Sequence, residues 1–169
     1  AIKGIGLMNK IELLAPAGNF ECLIAAVQSG ADAVYLSGKN FGARSFADNF
    51  DRDELEKAVD YCHLRGVRIY VTVNTLTKDS EMAQMQDYLL YLNRIGVDAI
   101  IVQDIGVVNL SKQIAPQLPV HASTQMTVYN KEGVRFLEKM GINRVVLARE
   151  VSLENIKNIS NDTNAELEV

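Results

Sequence analysis

The sequence predicts an α/β fold, specifically an incomplete TIM-like (β/α)₈ barrel of six strand–helix units and the start of a seventh strand. The first observation behind this is a repeated junction. Four helical patterns end on glycine, then a small or branched apolar residue, a polar residue and an apolar run: Gly30-Ala31-Asp32, Gly66-Val67-Arg68, Gly96-Val97-Asp98 and Gly141-Ile142-Asn143. Glycine supplies the left-handed residue that ends a helix, and the branched run after it begins a strand. Secondly, the runs are short and apolar on both faces, as parallel strands covered on both sides require. Thirdly, the chain has 169 residues, whereas a finished barrel takes roughly 250. No Gly-x-Gly-x-x-Gly or Walker-type loop supports a nucleotide-binding open sheet instead.

Taken in order, Ala1 to Leu7 carries no periodic pattern and reads as a leader added ahead of a native start at Met8. Residues 8–169 read as the N-terminal part of one barrel domain. The run Ile11 to Ala15 opens it, and strands are expected at Val34 to Ser37, Arg68 to Val73, Ala99 to Gln103, Val120 to Ser123 and Arg144 to Ala148. Between them, Leu55, Ala58, Val59 and Cys62 make a helical stripe that Asp51 and Glu54 start as a capping box. Met82, Met85, Leu89 and Leu92 make a second stripe, and Val107, Leu110 and Ile114 a third, ended by Pro116 and Pro119. Ala165 to Val169 alternates apolar and charged residues with no turn signal after it, so truncation inside a strand is expected.

Apolar residues make up 48% of the chain, enough for one substantial core and too many for intrinsic disorder. Seventeen Lys and Arg against 21 Asp and Glu leave a net charge of −4, which argues against a general grip on polyanions but not against local RNA binding. No apolar run approaches the roughly 18 residues of a membrane span, and no signal peptide opens the chain. A cytoplasmic protein without membrane contact is expected. Cys22 and Cys62 are too few for a disulfide framework or a four-thiolate metal site. Cys62 completes a core stripe and Cys22 sits beside Leu23 and Ala26, so both read as packing residues, and no metal site is expected in this chain.

In either α/β architecture ligands meet the carboxyl ends of the strands. After the first strand comes Ala15-Pro16-Ala17-Gly18-Asn19, where Asn19 either caps the next helix or helps hold an anion at its amide end. After the second comes the long loop Gly38 to Phe50. There Arg44 offers a planar fork to a carboxylate or phosphate or pairs with Asp48, while Phe41, Phe46 and Phe50 fold the loop onto the mouth or stack on a base. Later strands end in Asn74, in Gln103-Asp104, in Ser123-Thr124-Gln125 and in Arg149-Glu150. Together these polar groups predict a hydrogen-bonding floor for a polar ligand. Asp104 and Glu150 are candidate general bases if burial raises their pKa, with capping or pairing as the alternative. His121 and Ser123 share a strand face, so a Ser-His-Asp set with Asp104 is conceivable, although neighbours along one strand rarely reach the needed geometry. No His-Glu-x-x-His, Cys-x-x-Cys or Gly-x-Ser-x-Gly occurs.

Several of these strand-end motifs occur together and in order: Ile11-Glu-Leu-Leu-Ala-Pro-Ala-Gly-Asn19, Tyr35-Leu-Ser-Gly38 leading to Phe41-Gly-Ala-Arg44 and Asn49-Phe50, Val73-Asn74-Thr75, His121-Ala-Ser-Thr-Gln125 and Leu147-Ala-Arg-Glu150. From about Met8 to its last residue the chain resembles the collagenase-like peptidase family U32. The resemblance implies an N-terminal barrel-like catalytic region. It also implies that the family's cysteine-containing signature, which begins around Glu168-Val169, lies outside this chain. Members are described as proteases and collagenases, while others take part in hydroxylating RNA bases or quinone precursors, some with a cysteine-bound iron–sulfur cluster. The expectation is therefore an N-terminal fragment of a collagenase-like peptidase, inactive alone. RNA-base or quinone-precursor hydroxylation is the first alternative and a non-catalytic binding fragment the second. No cofactor is expected within the fragment, an iron–sulfur cluster is possible in the full-length protein, and its substrate is a peptide or RNA. A barrel lacking its last strands leaves edges unpaired, so self-association is also expected.

Overall fold

In the computed structural model, residues 11–43 and 49–169 are described. Residues 1–7, expected to be a leader, and the Arg44 to Asp48 part of the second loop lie outside them. Seven strands form one sheet in the order β1-β2-β3-β4-β5-β6-β7. They are β1 (Leu14–Pro16), β2 (Ala33–Ser37), β3 (Arg68–Val73), β4 (Ala99–Val102), β5 (Val120–Ala122), β6 (Arg144–Val146) and β7 (Glu166–Glu168). Every neighbouring pair is parallel. A doubly wound sheet reverses strand order at its ligand crevice, whereas strands laid down in strict sequence order build a barrel wall.

Six helices fill the crossovers: α1 (Phe20–Gln28), α2 (Arg52–His63), α3 (Met82–Ile95), α4 (Ile105–Ile114), α5 (Lys131–Lys139) and α6 (Leu153–Asp162). Their starts are set by short polar side chains. Asp51 and Glu54 close the expected capping box on α2, and Asn19, Asp104, Asn130 and Ser152 each accept a backbone N–H at the start of a helix. The four junction glycines all have left-handed backbone, with φ between 68° at Gly66 and 93° at Gly30. An L side chain at such positions is strained, which is why the same residue recurs wherever a helix must stop and a strand begin.

Alternation along each strand sorts its side chains into two environments. Val34, Leu36, Ile69, Val71, Ile100, Val102, Val120 and Val145 face outward, where Leu55, Val59, Cys62, Met85, Leu89 and Leu92 of α2 and α3 cover them. Burying each such aliphatic side chain contributes about 1.5–3 kcal/mol. The expected α4 stripe is displaced: Val107, Val108 and Ser111 are the buried residues, with Leu110 and Ile114 only half-buried. Several expected strands also stop early, β4 at Val102, β5 at Ala122 and β6 at Val146. The polar residues after them turn into caps and turns rather than continuing the ladder.

The inward faces are smaller and more polar. Leu14, Ala33, Tyr35, Tyr70, Ala99 and Ile101 form a separate apolar cluster inside the wall. Below it, at the amino ends of the strands, Arg144 is buried and bonded to Glu12 and Glu166. Tyr70 donates its hydroxyl to Glu12 at 3.0 Å, and Arg68 pairs with Glu12 at 2.8 Å. Contacts from Glu12, just before β1, to Arg144 on β6 span the inside of the wall and stopper its lower end.

Candidate active site at the mouth of the wall

The other end is open. Here the carboxyl termini of the strands surround a cavity of about 500 Å³, a size typical of small-molecule pockets. Its apolar surface comes from Pro16, Tyr35, Ile101 and Val146; hydroxyls and an amide come from Ser37, Thr72, Ser123, Thr124 and Asn74; charge comes from Arg149 and Glu168. Apolar walls with a few placed polar groups suit a flat, polar ligand better than an ion.

The long loop after β2 is tied down at both ends. Phe50 donates its N–H to the Ser37 carbonyl at 2.9 Å, and Lys39 donates to the Phe50 carbonyl at 3.0 Å. Asn74 accepts the Ala43 N–H at 3.1 Å and Thr75 donates to the Phe41 carbonyl at 3.2 Å, so the end of β3 holds the loop across the mouth. The expectation that its phenylalanines stack on a base is not met by the two that are described. Phe50 is buried with its ring 6.4 Å from that of Phe20, and Phe41 packs 5.7 Å from Tyr88, so both turn into the helix layer. Arg44 and Phe46 lie outside the described residues.

Of the expected site residues, Asn74, Ser123, Thr124 and Arg149 line the cavity. Asn19 caps α1 by accepting the Cys22 N–H at 2.9 Å. Asp104 caps α4, accepting from Gly106 at 2.7 Å and Val107 at 3.3 Å, and also takes the Thr77 N–H at 3.0 Å. The capping alternative thus describes both. Gln103 is half-buried between β4 and α4 and is not among the lining residues. Gln125 lies in a short 3₁₀ turn, Thr124–Met126, and exchanges two bonds of 3.3 Å with the Ser123 hydroxyl. Glu150 is exposed beside Arg149, its carbonyl accepting the Tyr129 hydroxyl at 3.5 Å.

The conceivable Ser-His-Asp set does not assemble. Ser123 is engaged with Gln125, Asp104 with backbone amides, and His121 points into the interior with its ring edge-on to Tyr70 at 4.8 Å. Burial, helped by the nearby Arg144 charge, lowers the His121 pKa to about 3, so the imidazole is neutral and a weak base. Its Nδ1 is buried without a partner. Three inward residues that line the cavity, Ser37, Thr72 and Glu168, were not singled out from sequence. The signal for Glu168 is the alternation at Ala165 to Glu168: Ala165 and Leu167 pack against the outer core, while Glu166 bonds Arg144 and Glu168 lines the cavity.

A family model for peptidase family U32 matches residues 18–169. The chain belongs to peptidase family U32. Several relatives of this U32 chain are named for RNA hydroxylation. The tRNA hydroxylation protein P1 of Bacillus subtilis is 41% identical over 162 residues, covering 96% of this chain and 38% of the relative. The 23S rRNA 5-hydroxycytidine C2501 synthase of Escherichia coli is 39% identical over 160 residues, covering 95% and 24%. A collagenase of Porphyromonas gingivalis is 36% identical over 154 residues, covering 90% and 36%. The U32 chain thus spans well under half the length of these relatives. Among solved structures, the U32 peptidase Mk0906 superposes with a TM-score of 0.77 at 18% identity, over 99% of this chain and 70% of that one, and so supports the barrel wall.

The iron–sulfur cluster implied for some members does not fit the donors of this U32 chain. Cys62 is buried in the outer core, and burial raises its thiol to about 11, away from the thiolate a cluster needs. Cys22 is exposed on α1, and among the described residues no three His, Cys, Asp or Glu side chains gather as a metal site. Nor, among those residues, is any helix long and apolar enough to cross a membrane.

Proposed function

We propose that this chain is the base-binding part of a protein that hydroxylates RNA, its mouth cavity receiving one unstacked nucleobase. The observation that carries the reading is the 41% and 39% identity, over 95% or more of the chain, to relatives named for tRNA and 23S rRNA hydroxylation. The cavity's chemistry supports it. Apolar walls accept the faces of a ring, while Asn74, Ser123 and Thr124 offer donors and acceptors to its edge, as in enzymes that take a base out of its stack. Arg149 at the rim supplies a contact for the adjoining phosphate, a local grip compatible with a net charge of −4.

The peptidase reading has the family's name and the collagenase relative behind it. It lacks a nucleophile next to a base among the described residues, since Ser123 and His121 are engaged elsewhere. In the proposal this chain binds and orients the base, and the chemistry belongs to the full-length protein; residues 8–169 alone turn over nothing. The test is mass spectrometry of nucleosides from tRNA and rRNA of a strain lacking the gene. Loss of a hydroxylated nucleoside, restored by the full-length gene, is the expected result. Unchanged nucleosides in both RNAs, together with cleavage of gelatin by the purified full-length protein, would overturn the reading in favour of the peptidase.

A further inference from the structure

We propose that Glu168 is a ligand-contacting residue of the mouth cavity, its carboxyl group meeting the N–H edge of the bound base. The inference rests on the base-binding reading above and names the group within the cavity that recognises the ring edge.

The register of the wall places Glu168 there. Val146 on β6 pairs with Glu168 on β7, one layer above the pairing of Arg144 with Glu166, and both Val146 and Glu168 line the cavity. Its backbone is fixed, because the Leu147 N–H donates to the Glu168 carbonyl at 3.0 Å. Its side chain is not satisfied. Oε2 is buried without a hydrogen bond, and the nearest cation, Arg144 Nη1, is 3.9 Å away. Three bonds hold that guanidinium in place, from Nη1 to Glu12 and from Nε and Nη2 to Glu166, and they leave Glu168 at ion-pair rather than hydrogen-bond distance.

Charge balance makes the same point. Around Glu168, Arg68 and Arg144 are matched by Glu12 and Glu166, Tyr70 donates to Glu12, and His121 is neutral. Within the wall Glu168 has only the long 3.9 Å ion pair to Arg144, and desolvation raises its pKa despite that attraction. A carboxyl with one oxygen buried and not hydrogen-bonded is costly unless something completes its hydrogen bonds. A ring N–H flanked by an acceptor does so in either protonation state, accepting a proton bond from a neutral carboxyl or donating one to either form.

The experiment uses the full-length protein and its E168A and E168Q variants, with uridine and cytidine as probes in calorimetric titration and a thermal melt of each protein. The expected result is that native protein binds one of the two nucleosides and that E168A binds it about tenfold more weakly or worse, with a melting temperature that is unchanged or higher. E168Q, isosteric and able to both donate and accept, retains more binding than E168A. Should E168A fail to fold, E168L, which fills the space without polar atoms, is judged in its place, and a loss of tenfold or more is then the supporting result. Equal binding by the variant, or no binding of either nucleoside by native protein, overturns the inference. Nucleoside content of RNA from the complemented strain is read alongside. If hydroxylation is restored while binding is indifferent to Glu168, this inference fails and the proposed function stands. If no hydroxylation depends on the gene, the function fails independently.

Discussion

Arg144 on β6 donates from Nη1 to Oε1 of Glu12, a residue 132 positions earlier in the chain that sits just before β1. The pair bridges the inside of the wall at its lower end, with the Arg144 side chain only 8% exposed and that of Glu12 13%. Burial works to raise the Glu12 pKa, but hydrogen bonds from Arg144 and Tyr70 and the charges of Arg144 and Arg68 together hold it below the ordinary carboxylate value.

Removing one partner should therefore cost more than the pair itself is worth. R144M leaves Glu12 desolvated and short of a cation, and a loss of about 3–5 kcal/mol is expected in urea unfolding. E12Q combined with R144M should cost less than the sum of the single changes, because no Glu12 carboxylate is then left facing the site of the missing guanidinium; additive losses would show that the two residues do not act as a unit.

His121 gives the protein an acid-sensitive stability. Its pKa is about 3 when folded against an ordinary 6.5, so the unfolded chain binds more protons as pH falls below 6.5. Stability contributed by the neutral buried imidazole is fully present above that value and declines toward pH 3, with a slope approaching about 1.4 kcal/mol per pH unit. In the upper part of this range, near pH 6 and above the ordinary 4.5 of an unfolded Glu12, H121Q should flatten the denaturation midpoint against pH. An identical slope in the variant would locate the acid lability elsewhere.

Gly38 closes the end of β2 against α3. A Cβ there would meet the Tyr88 hydroxyl at 2.2 Å, and Tyr88 is buried and cannot swing away. G38A should destabilise by about 1–3 kcal/mol and also disturb the base of the loop that Phe50 and Lys39 tie down. A melting temperature equal to that of the native protein would mean that the ring shifts freely.

At the rim, R149A should weaken nucleotide or RNA binding while leaving thermal stability nearly unchanged, because Arg149 is exposed. N74A should do both kinds of damage, since Asn74 lines the cavity and also holds Ala43. R44A is expected to behave like R149A; a large loss of stability would instead favour a role for Arg44 in packing its own loop. For residues 8–169 by themselves, light scattering should give a dimer or larger, because β1 is bonded only to β2 and β7 only to β6. A monomer with a cooperative melt would contradict that.

The wall was legible in the sequence wherever its cause is local. Gly30, Gly66, Gly96 and Gly141 each announce a helix end by their own backbone preference, and Asp51 with Glu54 caps its helix within one turn. Stripes such as Leu55, Ala58, Val59 and Cys62 need only helical periodicity. The site was half legible. Asn74, Ser123, Thr124 and Arg149 follow from the rule that ligands meet strand ends, but Asp104 and Asn19 obey the same rule and are used up as caps. Whether a polar side chain at a strand end turns to the cavity or back to the helix depends on the one or two residues that separate strand from cap. Arg144, Glu12 and Glu168 were not legible as a group, because their meeting depends on the curvature of the whole sheet rather than on any spacing along the chain.

Because Pro16, Val146 and Glu168 all border the same cavity, the binding space is shared between opposite ends of the sequence. A nascent chain leaving the ribosome has its first strand ready long before the seventh exists. Until that strand docks there is a row of strand tips but no enclosure, so a ligand for this cavity cannot act as a scaffold for early folding. Occupancy instead reports that β7 has docked, and stabilisation by ligand should fall on that step and those after it rather than on the first strands.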